Sequence, residues 1–338
     1  MAVPSPGSSR SWKGRDLLGL QGLAPEDLRT ILHRAREYDR AEPTDPSTRV
    51  LTGRTVATMF FEDSTRTRTS FALAAKRLGA DVADLTAIVS SVNKGETLMD
   101  TALAIQAMGV DAMVIRARQN GAAAMIAGAV SCPVVNAGDG RHEHPTQGLL
   151  DIYQFAAAHH RLDTFDLSGL TMIIVGDLGS SRVARSGVVG MTALGAKVYC
   201  VGPVTMVPRS LETLGCHVRH DLDEVLEEAD AVMVLRIQFE RQEPAKAPDG
   251  AAKLDLKSRT PGISSVREYR EFYSVTPERA NRMKPGAVVM HPGPINRGIE
   301  LDSEVADGPR SAIMRQVSTG VAVRMSVLSL CMGATAPA

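Results

Sequence analysis

The 338-residue chain is predicted to be an α/β protein of two domains, each a parallel β-sheet flanked by helices, with the C-terminal helix returning to the first domain. Three observations predict this. Strand-length apolar runs alternate with segments of helical apolar spacing, as expected for parallel sheets covered on both faces. A polar stretch from His159 to Ser168 parts the chain into halves, each long enough to bury a core. A long apolar helix follows the last strand. The expected boundaries are a disordered tail over 1–14, a first domain over 15–158 completed by the helix 309–333, and a second domain over 159–308.

The elements follow in order. Pro25 suits a first helical turn, and Leu28, Ile31, Leu32 and Ala35 then mark one helix face. Thr55 to Phe61 is a buried strand, and Phe71, Ala74, Ala75 and Leu78 form the face of the next helix. Ala112 to Ile115 and Val134 to Val135 are strands. Pro145 opens a helix carrying Leu149, Leu150, Tyr153 and Ala157. In the second half, Leu170 to Val175 is a strand ending in Gly176-Asp177. A helix from about Ser181, a strand Lys197 to Val201, a helix near Glu224 and a strand Ala231 to Ile237 follow. Thr276 to Met283 is a short helix, Ala287 to Met290 the last strand, and Pro309 to about Met332 the final helix. Gln242 to Ser265 breaks the rhythm with Pro244, Pro248, Gly250, Pro261 and Gly262, and reads as a mobile surface loop.

Composition excludes several classes. Lys plus Arg and Asp plus Glu both number 38, so net charge argues for neither nucleic acid nor an anionic membrane as partner. No apolar run reaches membrane-spanning length. Met1 to Gly14 is rich in Pro, Ser and Gly and lacks the apolar core of a signal peptide. Cys132, Cys200, Cys216 and Cys331 are too scattered for a zinc site or a disulfide framework, which fits a cytoplasmic protein.

The densest chemical signal is Ser64-Thr65-Arg66-Thr67-Arg68, directly after a strand and at a helix start. Free backbone N–H groups and the positive helix end favour an anion there. A simple N-cap fits the position equally well, but hydroxyls beside an Arg fork are donors suited to phosphate. His142-Glu143-His144 precedes Pro145-Thr146-Gln147 at a second loop-to-helix junction. An imidazole there can donate to a carbonyl oxygen that gains charge, or simply cap the helix. A Gln amide oxygen can accept from an NH2. The two histidines lack the His-Glu-x-x-His spacing of a zinc site. Lys94, Arg116, Arg182 and Arg236 stand near element ends, where each alone reads as an ordinary solvated charge. Arg236 interrupts an apolar strand, where a charge needs a partner. Gly176-Asp177-Leu178-Gly179 suggests a dinucleotide loop. The full Gly-x-Gly-x-x-Gly spacing is missing, and the next strand ends without a ribose-binding acid, which disfavours a dehydrogenase. His291-Pro292-Gly293-Pro294 fixes a turn after the last strand.

Together these motifs resemble the catalytic chain of the aspartate carbamoyltransferases, from about Arg15 to Gly333. The resemblance also rests on Lys94-Gly95-Glu96-Thr97 with Asp100-Thr101, Asn136 to Gly140, Arg182 to Ser186, Arg236-Ile237-Gln238 and His291 to Arg297. Ornithine carbamoyltransferases would carry His-Cys-Leu-Pro near the end and a Ser-Met-Gly loop, and this chain has neither. The resemblance implies that the first domain binds carbamoyl phosphate and the second L-aspartate. Ser64, Thr65, Arg66, Thr67 and Arg116 would hold the phosphate. Thr67, Arg116 and His144 would polarise the carbamoyl oxygen, while Gln147 and the carbonyls around Pro292, Gly293 and Pro294 would hold the NH2. Arg182, Arg236 and Gln238 would receive the aspartate carboxylates. Lys94, with Ser90, would enter from a neighbouring chain of a homotrimer. Glu62 and Arg241 are candidates for charge pairs that hold the closed domains, or else ordinary surface charges. No cofactor is implied; regulatory or dihydroorotase chains are partners such a chain can take. Two departures stand out: Ala117 replaces a common His after Arg116, and the Gln242–Ser265 loop is longer than usual, which bears on aspartate affinity.

Overall fold

The computed structural model describes residues 11–86, 97–237 and 265–334. Ser90, Lys94, Gln238, Arg241 and the loop from Gln242 up to Ser265 therefore lie outside the described residues.

The first sheet contains β1 (Thr55–Phe60), β2 (Asp81–Thr86), β3 (Ala112–Ala117) and β4 (Val134–Asp139) in the order β2-β1-β3-β4, all parallel. The second contains β5 (Thr171–Val175), β6 (Lys197–Val201), β7 (His217–Arg219), β8 (Ala231–Val234) and β9 (Val288–Met290) in the order β7-β6-β5-β8-β9, also parallel. Successive side chains point to opposite faces, so Val56 and Phe60 enter one core while Ala57 and Met59 enter another. Met172 and Ile174 diverge from Ile173 and Val175 in the same way. Burial on both faces is why these strands read as unbroken apolar runs.

Helices α1 (Pro25–Arg40), α2 (Thr65–Arg77), α3 (Leu98–Ala107), α4 (Ala122–Ala127) and α5 (Pro145–Ala158) accompany the first sheet. The second half carries α6 (Arg182–Ala193), α7 (Val266–Tyr273), α8 (Pro277–Arg282) and α9 (Ser303–Ala306). The last helix, α10 (Ile313–Cys331), returns to the first domain and packs against α1, α2 and α5. Ser326 Oγ donates to the Ile31 carbonyl of α1 at 2.7 Å.

Several expectations are corrected. Only a 3-10 turn, Leu226–Glu228, forms near Glu224, because Leu222, Val225 and Leu226 fold at close spacing into one core. Strand β8 stops at Val234, so Arg236 stands past the strand end and does not interrupt it. The final helix begins at Ile313: Val289 N–H bonds the Arg310 carbonyl, and Ala312 N–H bonds the Val289 carbonyl, which ties 310–312 to the side of β9. Trp12, expected within the tail, is 5% exposed, and Gly14 N–H bonds the Cys331 carbonyl at 2.8 Å. Strands β2 and β7 and helices α4, α7 and α9 are additional to the sequence reading; they are short or lie at sheet edges.

Each sheet has one point where the strand order reverses. In the first it falls between β1 and β3, in the second between β5 and β8. Ligands of open α/β sheets bind beyond the strand carboxyl ends at such points. The chain leaves β1 into Ser64–Thr67, β3 at Arg116, β5 toward Arg182 and β8 toward Arg236.

Candidate active site

These four exits face a single cleft of about 1360 Å³. It gathers Ser64, Thr65, Arg66, Thr67, Arg116, His144 and Gln147 from the first domain with Arg182, Arg236, Gly293 and Pro294 from the second. The described residues that the resemblance assigns to the two substrates thus line one cleft.

At the phosphate motif, Ser64 occupies the N-cap of α2 with φ −164° and ψ 88°, and its side chain makes no capping bond. The Ser64 side chain therefore does not take up the first-turn N–H groups, and the helix end, which attracts an anion, lines the cleft. Thr67 is buried, and the Arg66 guanidinium lies against Gly293 of the second domain. Gly293 has φ +65°, and a Cβ there would overlap Arg66 Nη1. Glycine suits this backbone conformation, and any larger residue would have to displace the guanidinium lying upon it. Partial burial and the facing charge of Arg236 pull the Arg66 pKa down, a sign that cations converge here.

Arg116 and Arg182 sit deeper. Arg116 Nη1 donates to the Ala137 carbonyl at 3.1 Å, and Arg182 Nη1 to the Gly140 carbonyl at 3.2 Å. Gly138, with φ +119°, lies between them: a Cβ would come within 3.1 Å of Arg116 Nη1 and of Arg182 Nε. Glu62, from the first domain, accepts from Arg182 Nη1 at 2.9 Å and Nη2 at 2.8 Å, and from Arg116 Nη2 at 3.4 Å. The Glu62–Arg182 pair therefore crosses the cleft.

His144 is the N-cap of α5 and only 4% exposed. Burial, followed by the charges of Arg116, Arg182 and Arg324, holds its pKa well below the usual value, so the imidazole is neutral. Its backbone N–H donates to Ser186 Oγ at 2.9 Å. Ser186 Oγ in turn donates to Glu143 Oε2 at 2.7 Å, while Glu143 also accepts from the backbone N–H groups of Leu20 and Gln21. Glu143 thereby pins the N-terminal segment, α5 and α6 around His144. Gln147, in the first turn of α5, donates from Nε2 to Asp151 Oδ1 at 3.0 Å. Asp151, Gln316 and Arg324 were not anticipated from the sequence. Among the described residues, no group of three or more His, Cys, Asp or Glu is placed to hold a metal ion. His142 instead pairs with Asp139 at 3.0 Å.

Two α/β domains that direct arginines and a helix N-terminus into one cleft define a protein that binds small anions between its domains. Residues 15–157 match the carbamoyl-P binding domain, and residues 168–331 the Asp/Orn binding domain, of the aspartate/ornithine carbamoyltransferases, and the chain belongs to this family. It is 50% identical over 317 residues to the aspartate carbamoyltransferase catalytic subunit of Myxococcus xanthus, spanning 94% of this chain and 99% of that one. The corresponding subunit of Gluconacetobacter diazotrophicus is 50% identical over 319 residues, spanning 94% and 92%. Among solved structures, Trypanosoma cruzi aspartate transcarbamoylase in complex with carbamoyl phosphate and aspartate superposes with TM-score 0.80 at 28% identity, over 95% of this chain and 98% of that one. Pyrococcus furiosus ornithine carbamoyltransferase gives TM-score 0.80 at 28% identity, over 96% and 99%.

Proposed function

We propose that the chain transfers the carbamoyl group of carbamoyl phosphate to the amine of L-aspartate, giving N-carbamoyl-L-aspartate and phosphate, an early step of pyrimidine synthesis. The observation that carries this reading is the meeting of the α2 N-terminus, Arg66, Arg116 and neutral His144 with Arg182 and Arg236 across one cleft. Both substrates are multiply anionic, and the cleft presents cations from both domains.

Ser64, Thr65, Arg66, Thr67 and Arg116 hold the phosphate. Thr67, Arg116 and His144 donate to the carbamoyl oxygen, whose charge grows as the amine attacks. A neutral imidazole serves here as a donor and consumes no proton. Gln147 Oε1 and the carbonyls at Pro292 and Gly293, beside Pro294, receive the NH2. Arg182, Arg236 and Gln238 take the aspartate carboxylates. The neutral amine forms the new C–N bond, a tetrahedral oxyanion follows, and the C–O bond to phosphate breaks. The departing phosphate accepts the amine proton, so no side-chain nucleophile is needed. Placement of the two reactants and preorganised donors supply the acceleration.

The chain acts as a cytoplasmic homotrimer whose sites are completed by Lys94 and Ser90 of a neighbouring subunit. The exposure of Leu103 on α3, of Met108 just past its end and of Met125 on the adjacent α4 supports such a contact. Among the described residues no helix is long and apolar enough to cross a membrane. Formation of carbamoyl aspartate by the purified chain, with ornithine as the control acceptor, tests the reading. Carbamoylation of ornithine in preference to aspartate would overturn it.

A further inference from the structure

We infer that Asp151 is a positioning residue: it fixes the Gln147 amide with its oxygen toward the cleft and, through Gln316, ties that amide to the loop carrying Gly293. This rests on the proposed role of Gln147 as acceptor for the carbamoyl NH2.

Asp151 lies one helical turn after Gln147 on the inner face of α5 and is fully buried. Its Oδ1 accepts from Gln147 Nε2 at 3.0 Å and from Gln316 Nε2, on α10, at 2.8 Å. Gln316 Oε1 accepts the backbone N–H of His291 at 2.9 Å, and His291 Nδ1 accepts the N–H of Gly293 at 2.7 Å. The direction of this chain is set at its backbone end. The His291 N–H can only donate, so Gln316 must present Oε1 to it and its NH2 to Asp151. A carboxylate only accepts, so Gln147 must also offer its NH2 there. Its remaining amide atom, the oxygen, is then turned away from Asp151, on the side of the cleft that Gln147 lines. Two groups proposed to receive the carbamoyl NH2, the Gln147 amide and the loop of Pro292 and Gly293, are in this way the two ends of one hydrogen-bonded chain spanning both domains.

The arrangement tolerates either ionisation state. Burial raises the Asp151 carboxyl to about 7, and Arg324, itself buried and depressed to about 10, supplies a neighbouring positive charge. Oδ2 has no hydrogen-bond partner among the described residues. A proton carried on Oδ2 leaves Oδ1 an acceptor for both amides. What Asp151 contributes is an obligatory acceptor at Oδ1 more than a charge.

Acetyl phosphate carries a methyl where carbamoyl phosphate carries its NH2, so the ratio of the two affinities reads the orientation of Gln147. Asp151→Ala should weaken carbamoyl phosphate about tenfold, the size of one lost polar interaction, and acetyl phosphate less than about threefold. Asp151→Asn should retain the ratio, because Gln316 still demands an oxygen. Combining Asp151→Asn with Gln316→Met removes that demand, and the ratio should then fall several-fold. Parallel weakening of both ligands in Asp151→Ala would show a merely structural role. If Asp151→Ala does not fold, the Asp151→Asn variants decide, and a wild-type ratio in the combined variant overturns the inference. Gln147→Leu separates the two claims: an unchanged ratio there rejects Gln147 as the NH2 acceptor. A ratio lost in Gln147→Leu but kept in the Asp151 variants rejects Asp151 alone.

Discussion

The guanidinium of Arg182 grips both carboxylate oxygens of Glu62, at 2.8 and 2.9 Å, from opposite sides of the cleft. The pair holds the Arg182 plane in place and brings the second domain against the first. Glu62→Gln replaces one acceptor oxygen by an NH2 and cannot complete the fork. Hydrogen bonds to charged groups are worth about 1.5–3 kcal/mol, so the aspartate KM should rise about tenfold or more. Carbamoyl phosphate affinity should change less. Steady-state kinetics with each substrate varied in turn decide the matter, and an unchanged aspartate KM would contradict it.

His144→Ala should lower kcat roughly 100-fold or more, as for a lost oxyanion donor, with smaller changes in substrate binding. Near-normal turnover would remove His144 from the mechanism. The pH dependence has a defined sign. Its folded pKa lies well below the ordinary imidazole value. Its stability contribution is full above the unfolded pKa and declines as pH falls from there toward the folded pKa, because only the unfolded chain takes up the proton in that window. Thermal melts of wild type and His144→Gln between pH 7 and 5 should therefore converge toward acid. Parallel curves would show that burial does not depress this imidazole.

Gly293→Ala places a methyl on Arg66 and forces a non-glycine residue to φ +65°. The backbone cost alone is about 1–2 kcal/mol. Displacement of Arg66 should weaken carbamoyl phosphate binding while leaving the aspartate contacts proposed for Arg182 intact. Calorimetric melting and titration with carbamoyl phosphate test both halves, and wild-type affinity in a destabilised variant would separate Gly293 from the phosphate site.

The proposed sharing of sites between subunits has its own test. Lys94→Ala and His144→Ala chains should each be nearly inactive. After dissociation and reassembly, interfaces pairing the intact Lys94 of one chain with the intact His144 of another restore a complete site, so activity should return. Mixed trimers confirmed by mass but lacking activity would rule the shared site out.

Much of the candidate site was legible in the sequence because its chemistry is local. A strand that ends in Ser64-Thr65-Arg66-Thr67 presents free N–H groups, hydroxyls and a guanidinium within four residues, and no distant contact is needed to see an anion site there. Lys94 and Gln238 were likewise marked by their motifs, and both lie outside the described residues. Asp151, Gln316 and Arg324 were not singled out, although a signal existed: Asp151 within Leu149-Leu150-Asp151-Ile152, and Arg324 within Val321-Ala322-Val323-Arg324-Met325, are charges in apolar helix segments, where each needs a partner.

The sequence by itself determined the alternation of strand and helix, the burial of both sheet faces and the glycine- and arginine-bearing turns at strand ends. Those properties follow from side-chain periodicity and from backbone rules acting over a few residues. Tertiary structure alone decided which turns meet. The strand orders β2-β1-β3-β4 and β7-β6-β5-β8-β9 place the reversal points against one cleft. Glu62 and Arg182 meet across 120 residues, Leu20 and Glu143 across 123, and Asp151 and Gln316 across 165. Such pairs are selected by how two sheets and a returning helix pack, because a buried carboxylate or amide takes whichever partner the fold delivers, and local sequence carries no record of that partner.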